Sequence, residues 1–164
     1  MLIRYADPIP LTDTGFPIYV LKTVGKDNAC IFLKEGGCAG YDARPRTCRL
    51  YPITVGPGEH DREFNYFLCK EKPHHFAEGT VRTKDWLREN FKREDREFVR
   101  AEYEAIANLG RLINKIPEDG ETEAIVEMLF ARYYNFDLDL PFMPQFRDNM
   151  EQLMKQLSEM GMHD

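Results

Sequence analysis

No run in this 164-residue chain approaches the roughly 20 consecutive apolar residues that a membrane-spanning helix needs. The opening Met1-Leu2-Ile3-Arg4-Tyr5-Ala6-Asp7-Pro8 also lacks the continuous apolar core of a secretory signal. These two absences predict a protein of the reducing cytoplasm with no membrane partner. Basic charge is not in excess either: 22 Lys and Arg stand against 28 Asp and Glu, for a net charge of −6. Nucleic-acid binding depends on Lys and Arg neutralising phosphates, so no nucleic-acid partner is expected. The motifs of the common chemistries are missing as well: there is no G-x-S-x-G, no G-x-x-x-x-G-K-[ST], no H-E-x-x-H and no G-x-G-x-x-G. No catalytic residue is assigned from the sequence.

Cysteine is absent from residues 1–29 and 70–164, so all four, Cys30, Cys38, Cys48 and Cys69, fall in one window. Cysteines serving as small core hydrophobes would be spread along the chain. Confinement points to a shared task, either a metal or cluster site or a pair of disulfides. In a reducing compartment thiols stay reduced unless a metal takes them, which favours coordination over disulfides. Four thiolates suit tetrahedral zinc, at about 2.3 Å, and equally an iron-sulfur cluster. The spacings are C-x7-C, C-x9-C and C-x20-C, with no C-x2-C knuckle, so the count says more than the pattern. The plain alternative is four buried thiols without metal.

Other candidates surround the cysteines. Arg44, Arg46 and Arg49 flank Cys48, and Lys70 and Lys72 follow Cys69; positive neighbours favour thiolate and offset the charge of a thiolate cage. Ordinary surface ion pairing is the competing reading for each. His74 and His75 are candidates for an imidazole ligand or a proton carrier, whereas His60 and His163 are expected in solvent. Glu59, Asp61 and Glu63 form an acidic loop, read as a hard-cation site or as a solvated turn. Cys48 has no histidine or acid placed by sequence to activate it as a nucleophile. Tyr133-Tyr134 and the Met-rich last segment read as core packing.

The expected fold class is α+β in a single domain over 1–164, with a cysteine-bearing half (1–79) packed on about three C-terminal helices (80–164). At this length the chain buries about two thirds of the surface its unfolded form exposes, so no staple is required. Ala29 to Leu33 and Cys38 to Tyr41 read as two short strands around the glycine turn Lys34-Glu35-Gly36-Gly37, a hairpin that would bring Cys30 and Cys38 close. A long helix capped by Thr80 or Thr83 is predicted from the stripe Leu87, Phe91, Phe98, Val99, Tyr103, Ile106, Leu109 and Ile113, stopped by Pro117 and Gly120. A second, buried on more than one face, is predicted from about Thr122 to Phe136. A third carries Phe146, Met150, Leu153, Met154 and Leu157 and closes near Gly161.

The run Cys30-Ile31-Phe32-Leu33 through Gly37-Cys38, then Tyr41, Arg44-Pro45, Cys48-Arg49 and Tyr51-Pro52, resembles the YkgJ-type cysteine-cluster family, and Cys69 falls where that family has a further cysteine. The resemblance covers roughly residues 29–70. It implies a zinc- or iron-chelating domain, with an iron-sulfur oxidoreductase as the related alternative, and Cys30, Cys38, Cys48 and Cys69 as metal ligands. Family members carry a C-x2-C-x2-C-C block upstream, and nothing before Cys30 here is a cysteine. Either the start lies further upstream or the site is reduced, and four ligands limit it to one zinc or one cluster. Two further readings stay open: a redox or methyl-transfer enzyme, since a related cysteine-cluster domain resembles part of flagellin lysine methylase, and a protein-interaction module with a vestigial or disulfide-held cysteine half.

Overall fold

A computed structural model describes residues 2–10, 16–59, 63–70 and 79–162. It is an α+β structure of antiparallel hairpins and five α-helices among the described residues, and it divides into two compact units. One unit comprises Met1–Ala39 and Glu104–Asp164; the other is Gly40–Tyr103. The compositional break expected at residue 79 therefore falls inside the second unit.

In the first unit, β1 (Ala6–Pro10) pairs antiparallel with β2 (Pro17–Leu21), from Ala6 opposite Leu21 to Pro10 opposite Pro17. Two small hairpins follow: β3 (Thr23–Val24) with β4 (Ala29–Cys30), and β5 (Leu33–Lys34) with β6 (Gly37–Cys38). Such short ladders have little stability alone. Stacking of Phe32 on Tyr5, with ring centroids 5.2 Å apart, ties them to the chain start.

The helices of this unit follow the apolar pattern of the sequence. The C-terminal part of α3 (Arg93–Ile113) buries Ala105, Leu109 and Ile113, while α4 (Glu121–Tyr133) packs against α5 (Phe142–Met160) and touches β2. Phe146, Met150, Leu153 and Leu157 are buried at the expected helical spacing, with Met154 half-buried, and Gly161 caps the end. Helix α4 departs from expectation, because only Ala124, Met128, Ala131 and Arg132 are buried. Val126 and Phe130 are 56% and 51% exposed, so one face is covered rather than several. Asn149 from α5 is buried without polar cost: its Nδ2 donates to the carbonyls of Ala131 and Asn135, and its Oδ1 accepts from Asn135.

The second unit contains α1 (Arg46–Leu50), the hairpin of β7 (Ile53–Pro57) and β8 (Phe64–Leu68), α2 (Thr83–Asn90) and the start of α3. Its core is Leu50, Phe64, Leu87, Phe91 and Val99, with Ile53 and Val55 against it. The single long helix expected here is broken into α2 and α3 at Phe91-Lys92. Phe91 leaves helical geometry to enter the core, and Asp95 in the first turn of α3 accepts the Lys92 N–H at 2.9 Å, the acidic half of a capping box. Arg82, rather than Thr80 or Thr83, precedes α2, and its side chain makes no capping bond. Tyr103, expected on the apolar stripe, is 42% exposed.

Candidate functional site

Each cysteine is delivered by a short element. Cys30 ends β4 and faces Thr23 across the ladder, which the Ile31 N–H continues by donating to the Lys22 carbonyl at 2.9 Å. The tight turn before it places Gly25 and Asn28 at φ of 74° and 51°, left-handed backbone that these two residue types tolerate best. Cys38 ends β6 opposite Leu33, across the two-residue turn Glu35-Gly36. The glycine turn thus forms as predicted, but Ala29 and Cys30 of the expected first strand pair with β3 instead of joining this hairpin. The cysteines sit in two successive hairpins with Thr23 and Leu33 as partners, so the one hairpin expected to carry both Cys30 and Cys38 does not form.

In the second unit, Cys48 lies in α1 and is exposed. Tyr51 and Pro52, joined by a cis peptide bond, lead from α1 straight into β7. The Cys69 N–H donates to the Pro52 carbonyl at 2.8 Å, one step beyond the Ile53–Leu68 pair that ends the β7–β8 ladder. The hairpin therefore returns Cys69 to a point opposite Pro52, four residues on from Cys48, although 20 residues separate the two cysteines in sequence.

None of the four cysteines is in a disulfide, and none is buried: Cys30, Cys38 and Cys69 are half-buried and Cys48 is exposed. The four thus divide two and two between the units. In type and number they suit zinc or an iron-sulfur cluster. Their placement is less complete, since among the described residues no three His, Cys, Asp or Glu side chains stand together as a metal cage.

The arginines around Cys48 turn out to serve the protein scaffold. Arg49 forms a two-pronged bond with Asp95, at 2.7 and 3.2 Å, and reaches the Asn90 carbonyl at 3.2 Å. Arg46 lies 3.6 Å from Glu102 and over the Phe98 ring, while Arg44 covers the Tyr41 ring at 3.6 Å and donates to the Tyr41 carbonyl. Together with the Trp86 indole N–H on the Leu50 carbonyl at 3.0 Å, these contacts lock α1 against α2 and α3. The R-P-x-x-C-R stretch is in this respect a docking segment that presents Cys48 on a fixed helix. In the acidic loop, Glu63 pairs with Arg100. His60, His74, His75, His163, Asp61 and Lys72 lie outside the described residues.

A tyrosine cluster went unread in the sequence. The Tyr19 hydroxyl is 2.8 Å from that of Tyr134, and Tyr19 meets Tyr133 edge-on with centroids 4.9 Å apart. The Tyr134 hydrogen bond, with some desolvation and the neighbouring tyrosines, pushes the Tyr19 hydroxyl up to about 12. Tyr134 is 43% exposed and Tyr133 half-buried, so of the core packing expected of Tyr133-Tyr134 only Tyr133 takes part. Tyr19 lies 115 residues from Tyr134, and no local pattern announces the contact.

Comparison with known protein families, curated proteins and solved structures finds no match to this chain. Among the described residues no helix is long and apolar enough to cross a membrane.

Proposed function

We propose that this protein binds zinc or iron, the latter as a mononuclear ion or an iron-sulfur cluster, through Cys30, Cys38, Cys48 and Cys69. One observation carries the reading: four cysteines are crowded into one stretch and all are at least partly accessible. Free cysteine is among the most buried of residues when it acts only as a small hydrophobe. Accessible thiols oxidise readily, so four of them suit a reducing cytoplasm and a chemistry that uses sulfur. The resemblance of residues 29–70 to the YkgJ-type cysteine clusters puts zinc and iron first among metals.

Metal held by residues from separate segments of the chain adds binding free energy to folding free energy. The test is elemental analysis with an absorption spectrum on the full chain isolated anaerobically. Stoichiometric zinc or iron, reduced in each Cys→Ser variant, is expected. A visible band that bleaches on reduction identifies the cluster form. Metal occupancy that survives all four substitutions sinks the assignment.

A further inference from the structure

A second site stands apart from the cysteines. In the second unit, an open cleft of about 640 Å³ lies along α2 and the start of α3. Its apolar floor is Leu87 and Phe91, which are 9% and 2% exposed. Lys84, Arg88, Lys92, Arg93 and Arg96 complete the lining, and no acidic side chain does so. In a chain of net charge −6 this is a marked local reversal. Like charges held together repel, and Lys84 and Arg88 stand at the four-residue spacing of α2 at which repulsion along a helix is felt.

Among the five cations Arg88 has an ion-pair partner, Asp85. Asp85 is shared between Arg82 and Arg88, at 2.7 and 3.1 Å, and Asp95 is held by Arg49 and the Lys92 N–H. The guanidinium carbon of Arg96 lies 4.7 Å from the Phe91 ring centre and 5.6 Å from that of Phe64. A guanidinium held over aromatic rings has five N–H donors, more than the rings engage, to offer a planar or tetrahedral oxyanion. The volume lies within the range of about 300–1,000 Å³ typical of small-molecule sites.

We infer that this cleft binds a small organic anion, with its apolar or aromatic body on Leu87 and Phe91 and its phosphate, sulfonate or carboxylate group among Lys84, Arg88, Arg93 and Arg96. A pocket of this size with five clustered cations matches one compact ligand better than a polymer backbone, which needs a continuous basic track.

The probe is 8-anilinonaphthalene-1-sulfonate, titrated into the full chain and followed by fluorescence and by amide shifts in NMR spectra. Saturable one-to-one binding is expected, with the largest shifts at Leu87, Phe91 and Arg93 and with weakening as ionic strength rises. The Lys84→Gln/Arg93→Gln variant changes only exposed side chains and should keep its fold by circular dichroism while binding about tenfold or more weakly. N-phenyl-1-naphthylamine, which lacks the sulfonate, and inorganic sulfate, which lacks the ring, should each bind far more weakly than the probe. Undiminished affinity in the variant, equal binding of the uncharged amine, or shifts centred elsewhere would overturn the assignment. So would displacement of the probe by a single-stranded oligonucleotide at lower concentration than by benzoate or phenyl phosphate.

Discussion

Arg49 and Asp95 meet in a bidentate pair, Nη2 to Oδ1 at 2.7 Å and Nη1 to Oδ2 at 3.2 Å, and the same carboxylate accepts the N–H of Lys92 that opens α3. One aspartate thus ends one helix break and anchors the helix that bears Cys48. Asp95→Asn and Arg49→Met should each destabilise the protein by about 1–2 kcal/mol, the range of charge-assisted bonds in partly buried sites. The double variant should cost less than the two single costs added together, as urea unfolding would measure. Strict additivity would mean that the pair is not coupled.

Thiol chemistry separates the four cysteines. In metal-free, reduced protein, Cys48, the exposed one, should react with iodoacetamide ahead of Cys30, Cys38 and Cys69, which are half-buried. Saturation with zinc or ferrous iron should then slow all four, as mass spectrometry of the alkylated peptides would show. Alkylation rates indifferent to metal would count against the metal-binding proposal.

The raised hydroxyl of Tyr19 has a definite sign. Its folded value of about 12 lies above the unfolded value of 10.0, so the folded state holds the proton more tightly. The stability it contributes is whole below pH 10 and is lost as pH rises toward 12. Tyr19→Phe should therefore lessen the decline of stability over that alkaline window. In absorbance titration, one of the eight tyrosines should ionise late, and the late step should vanish in the variant.

The two faces of the C-terminal helix pair should respond unequally to truncation. Leu153, fully buried in α5, should cost about 2–5 kcal/mol when changed to alanine, since its removal leaves a cavity. Phe130→Ala on α4, at 51% exposure, should cost well under that by the same denaturation assay. Similar losses would indicate that the outer face of α4 is covered in solution.

How much of this was legible in the sequence varied with the range of the interaction. The third helix was readable almost residue by residue, because Phe146, Met150, Leu153 and Leu157 repeat at helical spacing and Gly161 ends the run. The break at Phe91-Lys92 was not, since Phe91 fits the apolar stripe whether it continues the helix or turns into the core. The turn at Glu35-Gly36 was foreseen from its glycines, but the pairing of Ala29-Cys30 with Thr23-Val24 was not. Two-residue strands carry too little alternation to show which residue faces which.

By itself, the sequence determined the α+β class, the amphipathic helices and the confinement of every thiol to residues 30–69, because each of these follows from local periodicity, turn chemistry or composition. Only the tertiary structure decided that Cys69 returns opposite Pro52, that Arg49 is committed to Asp95, and that Lys84, Arg88, Lys92, Arg93 and Arg96 line one cleft over Leu87 and Phe91. These are pairings that depend on how hairpins and helices dock. Docking is set by packing and hydrogen bonds between distant segments, and no local pattern encodes it.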